Sequence, residues 1–375
     1  MDVNSFVIGY TKGKQSASGG GEGGIAGFHK VQFFNDDRTT LLYTVFVPTG
    51  ASAIYAGDTP VSAGGGTFVG FEPSPTNVTA DLDCYAVYEL ISTLNKTSWR
   101  MISKTSADGT AQNYFAVGDT KMIHIQGTVG TLEVNGDYGV YIIGFDHNSE
   151  IEGNGIHFGT FKSAASNGKD LCLISSEYNS VWEDGKKCFN MNHWGNYNYG
   201  GWSACDLRYD ILGSTDKKPL GYGSAKTASS VGYDASETCA TNPVPNTLMA
   251  ALPADLRAVM KPMTKYTNNK GSSDDTAEKV TVTVDYLPLL AEFEIFGARF
   301  SANSYEKNKQ KQYDYFVAGK SKKKYCHSST DSAARWWERS ACYTGDNLFC
   351  NVSTNSTAES SQAMRAFGVA PAFKV

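Results

Sequence analysis

Short runs in which apolar and polar residues alternate dominate the chain, and helical three-and-four spacing is rare. Successive strand side chains point to opposite faces, so such a run marks a strand with one buried face. Lys30-Val31-Gln32-Phe33-Phe34 and Leu41-Leu42-Tyr43-Thr44-Val45-Phe46-Val47 are two of these runs. Asn35-Asp36-Asp37-Arg38 between them predicts a turn, and Val47-Pro48-Thr49-Gly50 closes the hairpin. Phe68-Val69-Gly70-Phe71 and Cys84-Tyr85-Ala86-Val87-Tyr88 predict two more strands. Farther on, Met122-Ile123-His124-Ile125 and Val140-Tyr141-Ile142-Ile143-Gly144-Phe145 are strand-like. One segment, Pro253-Ala254-Asp255-Leu256-Arg257-Ala258-Val259-Met260, has the early Pro and Asp and the apolar spacing of a short helix. Residues 268–278 read as a polar loop. Toward the C-terminus aromatic strand fragments alternate with long Ser/Thr/Asn stretches. The pattern predicts an α+β chain with little helix and many ordered loops.

The same pattern divides the chain into residues 1–27, a small β-rich module over 28–92 and a larger unit over 93–375. At the N-terminus Phe6, Val7, Ile8 and Tyr10 form an apolar patch able to make a helical turn or two. Gly19, Gly20, Gly21, Gly23 and Gly24 then leave little chance of regular structure. The stretch reads either as an anchor peptide on a flexible tether or as a disordered terminus.

Composition narrows the classes. Hydrophobic residues make up 41% of the 375 residues and charged residues 19%, enough to bury a sizeable core. A formal charge of -5 argues against broad nucleic-acid binding, which needs a basic face. No run approaches the roughly 18 to 20 apolar residues that cross a bilayer, and the N-terminus lacks a signal peptide's charged start and apolar stretch. A surface-exposed protein of this kind is expected to leave the cell by another route, release inside a virion being one.

Candidate chemistry is sparse. The eight cysteines, Cys84, Cys172, Cys188, Cys205, Cys239, Cys326, Cys342 and Cys350, are scattered without a CxxC pair. Their spacing indicates neither a zinc site nor a disulfide scaffold; most are expected to be buried apolar thiols, with disulfides formed after lysis as the alternative. There is no GxSxG, HExxH or P-loop, and the histidines lie apart at 29, 124, 147, 157, 193 and 327. Asp146, Asn148, Glu150 and Glu152 space oxygen donors as a calcium loop would, but the glycine and final glutamate of an EF-hand are missing. Lys307, Lys309, Lys311, Lys320, Lys322, Lys323 and Lys324 around Tyr313-Asp314-Tyr315-Phe316 are expected to be a solvated edge, with contact to an anionic polymer as the alternative. Trp336 and Trp337 could form a sugar platform.

Two resemblances add to this. Gly57-Asp58-Thr59-Pro60, Gly66-Thr67-Phe68-Val69-Gly70-Phe71, Asn77-Val78-Thr79-Ala80-Asp81 and Tyr85-Ala86-Val87-Tyr88 resemble the Listeria–Bacteroides repeat, a module similar to the B-repeats of internalins. Phe71 stands where the usual members carry Trp. The resemblance implies a β-grasp-like spacer in a single copy.

Across 93–375 a longer ordered series is similar to the C-type-lectin-like domain common in proteins of gut Firmicutes and their phages. It runs through Ser98-Trp99-Arg100-Met101-Ile102, Val117-Gly118-Asp119 and Ile142-Ile143-Gly144-Phe145-Asp146-His147. It continues with Met191-Asn192, Gly200-Gly201-Trp202, Leu207-Arg208, Leu252-Pro253 and Lys261-Pro262-Met263-Thr264-Lys265. Glu294-Ile295-Phe296-Gly297, Trp336-Trp337-Glu338-Arg339-Ser340 and Gly368-Val369-Ala370-Pro371-Ala372-Phe373 complete it. The family usually shows Leu where Glu338 stands and Pro where Ala341 stands, so the strand edge near Arg339 is expected to differ.

Many members resemble the variable proteins of diversity-generating retroelements, whose region between the tryptophan pair and the terminal Gly-Val-x-Pro is rewritten by adenine-directed mutagenesis. The resemblance implies a ligand-facing surface there. Leu348, Phe349 and Val352 would anchor a strand in the core. Tyr343, Thr344, Asp346, Asn347, Ser353, Asn355, Thr357, Glu359, Ser361, Met364, Arg365 and Phe367 remain as candidate ligand-binding residues. Tyr gives large contact area at low rotamer cost and Ser and Asn adapt their hydrogen bonds, the mix found in antibody paratopes. Asn190-Met191-Asn192-His193-Trp194-Gly195-Asn196-Tyr197-Asn198-Tyr199-Gly200-Gly201-Trp202-Ser203 is equally paratope-like and could stack on a sugar. The resemblance, however, puts Met191-Asn192 and Gly200-Gly201-Trp202 in the framework, and it implies that Trp336 and Trp337 are buried core rather than a sugar platform.

Sugar-binding lectins of this fold often hold calcium through an EPN or QPD tripeptide, and neither occurs here; no metal or other cofactor is expected. The fold is shared with formylglycine-generating-type enzymes, so it does not by itself exclude catalysis. Nothing local activates Cys342 or Cys350, and no enzyme is expected. The resemblance implies a phage virion protein for receptor binding or adhesion, on a tail or head fibre. Its partners would be a host cell-surface protein or glycan and, through the N-terminal segment, other virion proteins. Neither nucleic acid nor membrane insertion is implied, and a homotrimer is compatible with such adhesins. A capsid decoration or head-fibre structural protein and a bacterial surface adhesin are the alternatives.

Overall fold

Val31 and Phe33 are fully buried while their neighbours Lys30 and Gln32 are half-exposed, so the first predicted strand sets one face into a core. The computed structural model describes residues 27–164, 168–175, 188–193, 195–214 and 240–375. The proposed anchor at Phe6 to Tyr10 and the glycine tract after it lie outside the described residues, as do Trp194 and Cys239. The chain divides into two units, Met1–Ser92 and Thr93–Val375.

The first unit is a four-stranded sheet of β1 (Phe28–Phe34), β2 (Leu41–Pro48), β3 (Thr67–Glu72) and β4 (Leu82–Glu89). Its order is β2-β1-β4-β3, with β1 and β4 parallel and the other pairs antiparallel. Val31, Phe33, Val45, Val47 and Cys84 form its core, and the Phe33 ring meets Phe71 edge-on at 4.7 Å between centroids.

In the second unit the strands are β5 (Thr120–Val129), β6 (Leu132–Phe145), β7 (Ile156–Ser163), β8 (Leu171–Cys172), β9 (Met263–Asn268) and β10 (Val280–Asp285). They are followed by β11 (Lys324–Cys326), β12 (Ser329–Ala334), β13 (Trp336–Ala341), β14 (Leu348–Val352), β15 (Ala358–Gln362) and β16 (Ala372–Lys374). β6 lies inside the sheet β16-β7-β6-β5. Its first half alternates buried Leu132 and Val134 with exposed Glu133 and Asn135, whereas Val140, Tyr141, Ile142 and Ile143 are all buried. A strand covered on both faces must be apolar throughout, which accounts for the unbroken run. Helices are few and short. The longest, α1 (Trp99–Ala107), begins where the Ser98 hydroxyl accepts the Met101 N–H at 3.1 Å. The predicted helix after Pro253 forms over Ala254–Arg257. Among the described residues no helix is long and apolar enough to cross a membrane. The fold is mixed α+β with many strands, as the pattern predicted.

Behind β13 lies a buried charged lattice. Arg339 grips Glu294 through both terminal nitrogens, at 2.5 and 2.9 Å, and Lys265 Nζ bridges Glu294 and Glu152 at 3.0 and 2.9 Å. Burial alone would raise the Glu294 carboxyl, but Arg339 and Lys265 overcome it and hold the carboxyl well below its usual range. Arg208 and Trp202 similarly share Asp285, at 2.7 and 3.0 Å. Trp336 and Trp337 are fully buried, and their indole N–H groups donate to Lys322 O at 3.0 Å and Phe189 O at 2.8 Å.

The predicted polar loop over residues 268–278 includes interior groups: Asn268, the last residue of β9, and Asn269 are fully buried, where Asn269 Oδ1 accepts the Ser203 N–H and Asn268 Oδ1 accepts the Gly271 N–H. One expectation needs correction. The lysine-rich stretch is not a solvated edge throughout. Lys324 is buried, donating to Thr160 O at 2.8 Å and Tyr141 Oη at 3.2 Å, and Tyr313, Tyr315 and Phe316 lie in the core.

Candidate functional site

β13, β14 and β15 run as an antiparallel meander, so the loops joining them alternate between its two ends. The β13–β14 loop, residues 342–347, closes one end, and the β14–β15 turn, residues 353–357, closes the other. Phe349 and Val352 are fully buried and Leu348 half-buried, so β14 anchors the meander in the core.

Tyr343, Thr344, Asp346 and Asn347 share the first loop; Thr344 and Asp346 are exposed, Tyr343 and Asn347 half-exposed. The chain returns to that end after β15, where the Ala363 N–H donates to Asn347 O at 2.9 Å. This brings half-buried Met364 and Arg365 close in sequence to the same end. Asn355 and Thr357 are exposed at the opposite end, and Glu359 and Ser361 lie half-buried on β15 between the two. Glu359 pairs with Arg335 at 2.6 Å. The candidates therefore form two groups joined by a strand.

Two of them do not face solvent. Ser353 is buried because its hydroxyl organises the turn, meeting Thr357 Oγ1 at 2.7 Å and accepting the Asn355 and Thr357 N–H groups at 3.2 Å. Phe367 is 6% exposed because its ring packs on Trp337 at 4.6 Å between centroids. Its remaining edge helps line a cleft of about 390 Å³ with Cys326, Ser328, Arg335 and Thr354. Burial would raise the Cys326 thiol there, but hydrogen bonds from His327 and Ser328 bring it down to about 7.

The first loop is held from behind by a residue in the second paratope-like segment. Asn198 is fully buried, and its Nδ2 donates to Gly345 O at 2.8 Å and Leu348 O at 2.9 Å. Its backbone N–H donates to Asp346 O at 2.7 Å, and its Oδ1 accepts the Ser272 N–H at 2.8 Å. Asn198 thus bonds the loop backbone and leaves the loop side chains free to face outward. Asn190, Asn192, His193 and Trp202 are likewise buried, whereas Tyr197 and Tyr199 are half-exposed and stack with centroids 5.7 Å apart. Tyr199 Oη reaches Asp346 Oδ2 at 3.3 Å, and that carboxylate pushes the phenol up from its ordinary range. The segment is framework at its ends and surface at its tyrosines.

Sequence reasoning missed the third side of this face. The Arg299 guanidinium lies 3.9 Å from the centre of the Tyr343 ring and pairs with Asp275 at 2.9 Å. Phe300 beside it is 60% exposed, and Ser301 O accepts the Tyr343 N–H at 3.1 Å. No local pattern marks Arg299 or Phe300; only the contact between residues 299–302 and 342–343 does. A rigid aromatic and cationic face with an acidic edge suits stacking and hydrogen bonding to a polar surface partner.

Two groups of buried side chains have the composition of metal ligands among the described residues: His147, Glu152 and Glu294, and Glu292, Glu338 and Cys350. In the first, the Lys265 ammonium already bridges both carboxylates. The spaced oxygens of Asp146, Asn148 and Glu152 do not converge: Asp146 accepts the Gly155 N–H, Asn148 donates to Lys309 O, and Glu152 faces Lys265.

The model of the family described as Domain of unknown function (DUF6273) matches residues 169–375. No curated protein and no solved structure matches the chain.

Proposed function

The chain belongs to the DUF6273 family, and we propose, from the geometry of the 342–347 loop and the resemblance of its sequence, that it is a non-enzymatic recognition protein with a C-type-lectin-like second unit. In this reading it is displayed on a bacteriophage particle and binds a host cell-surface protein or glycan. The observation that carries the reading is the division of labour around Asn198. A buried amide fixes the backbone of the 342–347 loop, while Tyr343, Thr344, Asp346 and Asn347 turn outward beside Arg299 and Phe300. Rigid aromatic anchors on a fixed backbone lose little entropy on binding, and multivalent display would raise a modest single-site affinity. The parallel central pair of the first unit's sheet supports a β-grasp-like spacer, and residues 1–24 would dock onto the particle.

Alanine substitution of Tyr343, Asp346, Asn347 and Arg365 together tests the binding face. Retention on a panel of Firmicutes cells and glycans is expected to fall at least tenfold, with the thermal midpoint within a few degrees of the parent. Unchanged retention would remove the proposal. Deleting residues 1–24 is expected to abolish incorporation into particles while leaving the second unit folded; normal incorporation would sink the anchor.

A further inference from the structure

Next to the recognition loop, at the base of the same hairpin, four chemically reactive side chains converge in an apolar interior. Glu292, Glu338, Cys342 and Cys350 are each 0% exposed. Both thiols lie in a cluster with Phe293, Ala302 and Leu348, away from water. One donor atom each from Glu292, Glu338 and Cys350 falls within 4.8 Å of the others, and Cys342 Sγ stands 3.5 Å from Cys350 Sγ.

The two carboxylates differ in what serves them. Glu292 accepts the backbone N–H groups of Phe300, Ser301 and Ala302 at 2.5 to 3.0 Å. Glu338 has none: both of its oxygens are buried without a hydrogen-bond partner. A carboxyl group in that position costs the fold free energy unless something meets its oxygens. A proton would occupy one oxygen and would itself lack an acceptor. A disulfide between Cys342 and Cys350 would leave Glu338 as it is. A cation held between the carboxylates and the Cys350 sulfur would meet the Glu338 oxygens and use the thiol beside them.

We propose that Glu292, Glu338 and Cys350 form a structural site for a divalent, thiophilic metal ion, Zn²⁺ by its chemistry, with the Cys342 thiol beside Cys350 as the fourth donor once the ion draws it in. Thiolate donors select against Mg²⁺ and Ca²⁺, which take oxygen ligands alone, and carboxylate donors select against the softest ions. Zinc–sulfur bonds of about 2.3 Å at the tetrahedral angle place two sulfurs about 3.8 Å apart, close to the separation here. The site is buried from solvent, with three protein donors already close together and the Cys342 thiol 3.5 Å from that of Cys350. Its ligands come from the helix Glu292–Phe296 and from both sides of the β13–β14 loop. The ion would therefore pin the base of the loop carrying Tyr343 and Asp346, whatever that loop binds. This site stands independently of the recognition reading.

The full chain, unfolded with a chelator and reductant, would be refolded with or without one equivalent of Zn²⁺ and freed of loose metal by gel filtration. Elemental analysis is expected to find close to one zinc per chain, and the refolded zinc form to melt higher than the metal-free form. Co²⁺ in place of Zn²⁺ is expected to give a thiolate charge-transfer band and intense tetrahedral visible bands. Glu338→Leu should lower metal affinity at least tenfold while leaving the metal-free chain as stable as the parent or more so. Where that variant fails to fold, Glu338→Gln, of the same shape, should show the same loss. Cys350→Ser should abolish the charge-transfer band, and Cys84→Ser, in the other unit, should leave it intact. Absence of retained metal in the parent chain overturns the proposal. So does equal retention by the Glu338 and Cys350 variants, or a Cys342–Cys350 disulfide that persists after reduction and refolding.

Discussion

Lys324 shows how far burial can move a single side chain from its ordinary chemistry. Burial is the main cause that lowers its ammonium to about 8, against the opposing pull of Asp170 and Cys172, with Lys162 adding to the lowering. Between pH 8 and 10.5 the unfolded chain therefore holds a proton that the folded chain has released. Stability contributed by this group rises with pH through that window, and the penalty is fully present below it. Lys324→Met is expected to flatten the slope, measured as urea midpoints from pH 7 to 10.5 against the parent. It should also recover up to ~3 kcal/mol at pH 7, less the hydrogen bond lost at Thr160. An unchanged pH slope would show that Lys324 is not the group responsible. Phe367 makes the complementary point, since a residue whose place in the chain suggests a ligand face packs instead on Trp337. Phe367→Ala is expected to cost about 3 kcal/mol or more in chemical unfolding, whereas Thr344→Ala should cost less than about 0.5 kcal/mol.

At the scale of elements, the 342–347 loop depends on a junction distant from it in sequence. Gly271 lies at a positive φ of 67°, and a Cβ there would come within 1.8 Å of Asn198 O. The two segments approach so closely that only glycine fits, and this closeness holds Asn198 against the 342–348 carbonyls. Gly271→Ala is expected to destabilise the second unit by at least ~2 kcal/mol and to weaken binding by the loop together with it. Asn198→Ala leaves Gly345 O and Leu348 O without that donor and should cost on the order of 3 kcal/mol. Hydrogen exchange at residues 342–348 would report the loosening directly; full protection in the variant would refute the role given to Asn198.

For the whole molecule, the separation into Met1–Ser92 and Thr93–Val375 predicts that residues 93–375 expressed alone unfold in one cooperative transition. Calorimetry of the shortened and full chains checks this, and a broad, non-cooperative melt of the shortened chain would contradict it. Much of the architecture was legible in the order of residues. Strand alternation located β1, β2, β3 and β4, and the apolar run Val140–Phe145 pointed to a further strand, because burial acts on each side chain where it stands; that this strand is covered on both faces came from the structure. The anchoring of β14 by Phe349 and Val352 was expected from their apolar side chains, whereas the burial of Trp336 and Trp337 was expected from the family resemblance. What only tertiary structure decided was which distant segments meet. Arg299 reaches Tyr343, Asn198 reaches Gly345, and Glu338 finds Glu292 and two thiols, all through contacts that no local period encodes. Polar side chains carry the site and the inferred metal cluster, and their value depends on the partner each one finds. Hydrophobic pattern fixes which face of a strand is buried; which donor meets which acceptor across the interior depends on how the strands and loops pack together.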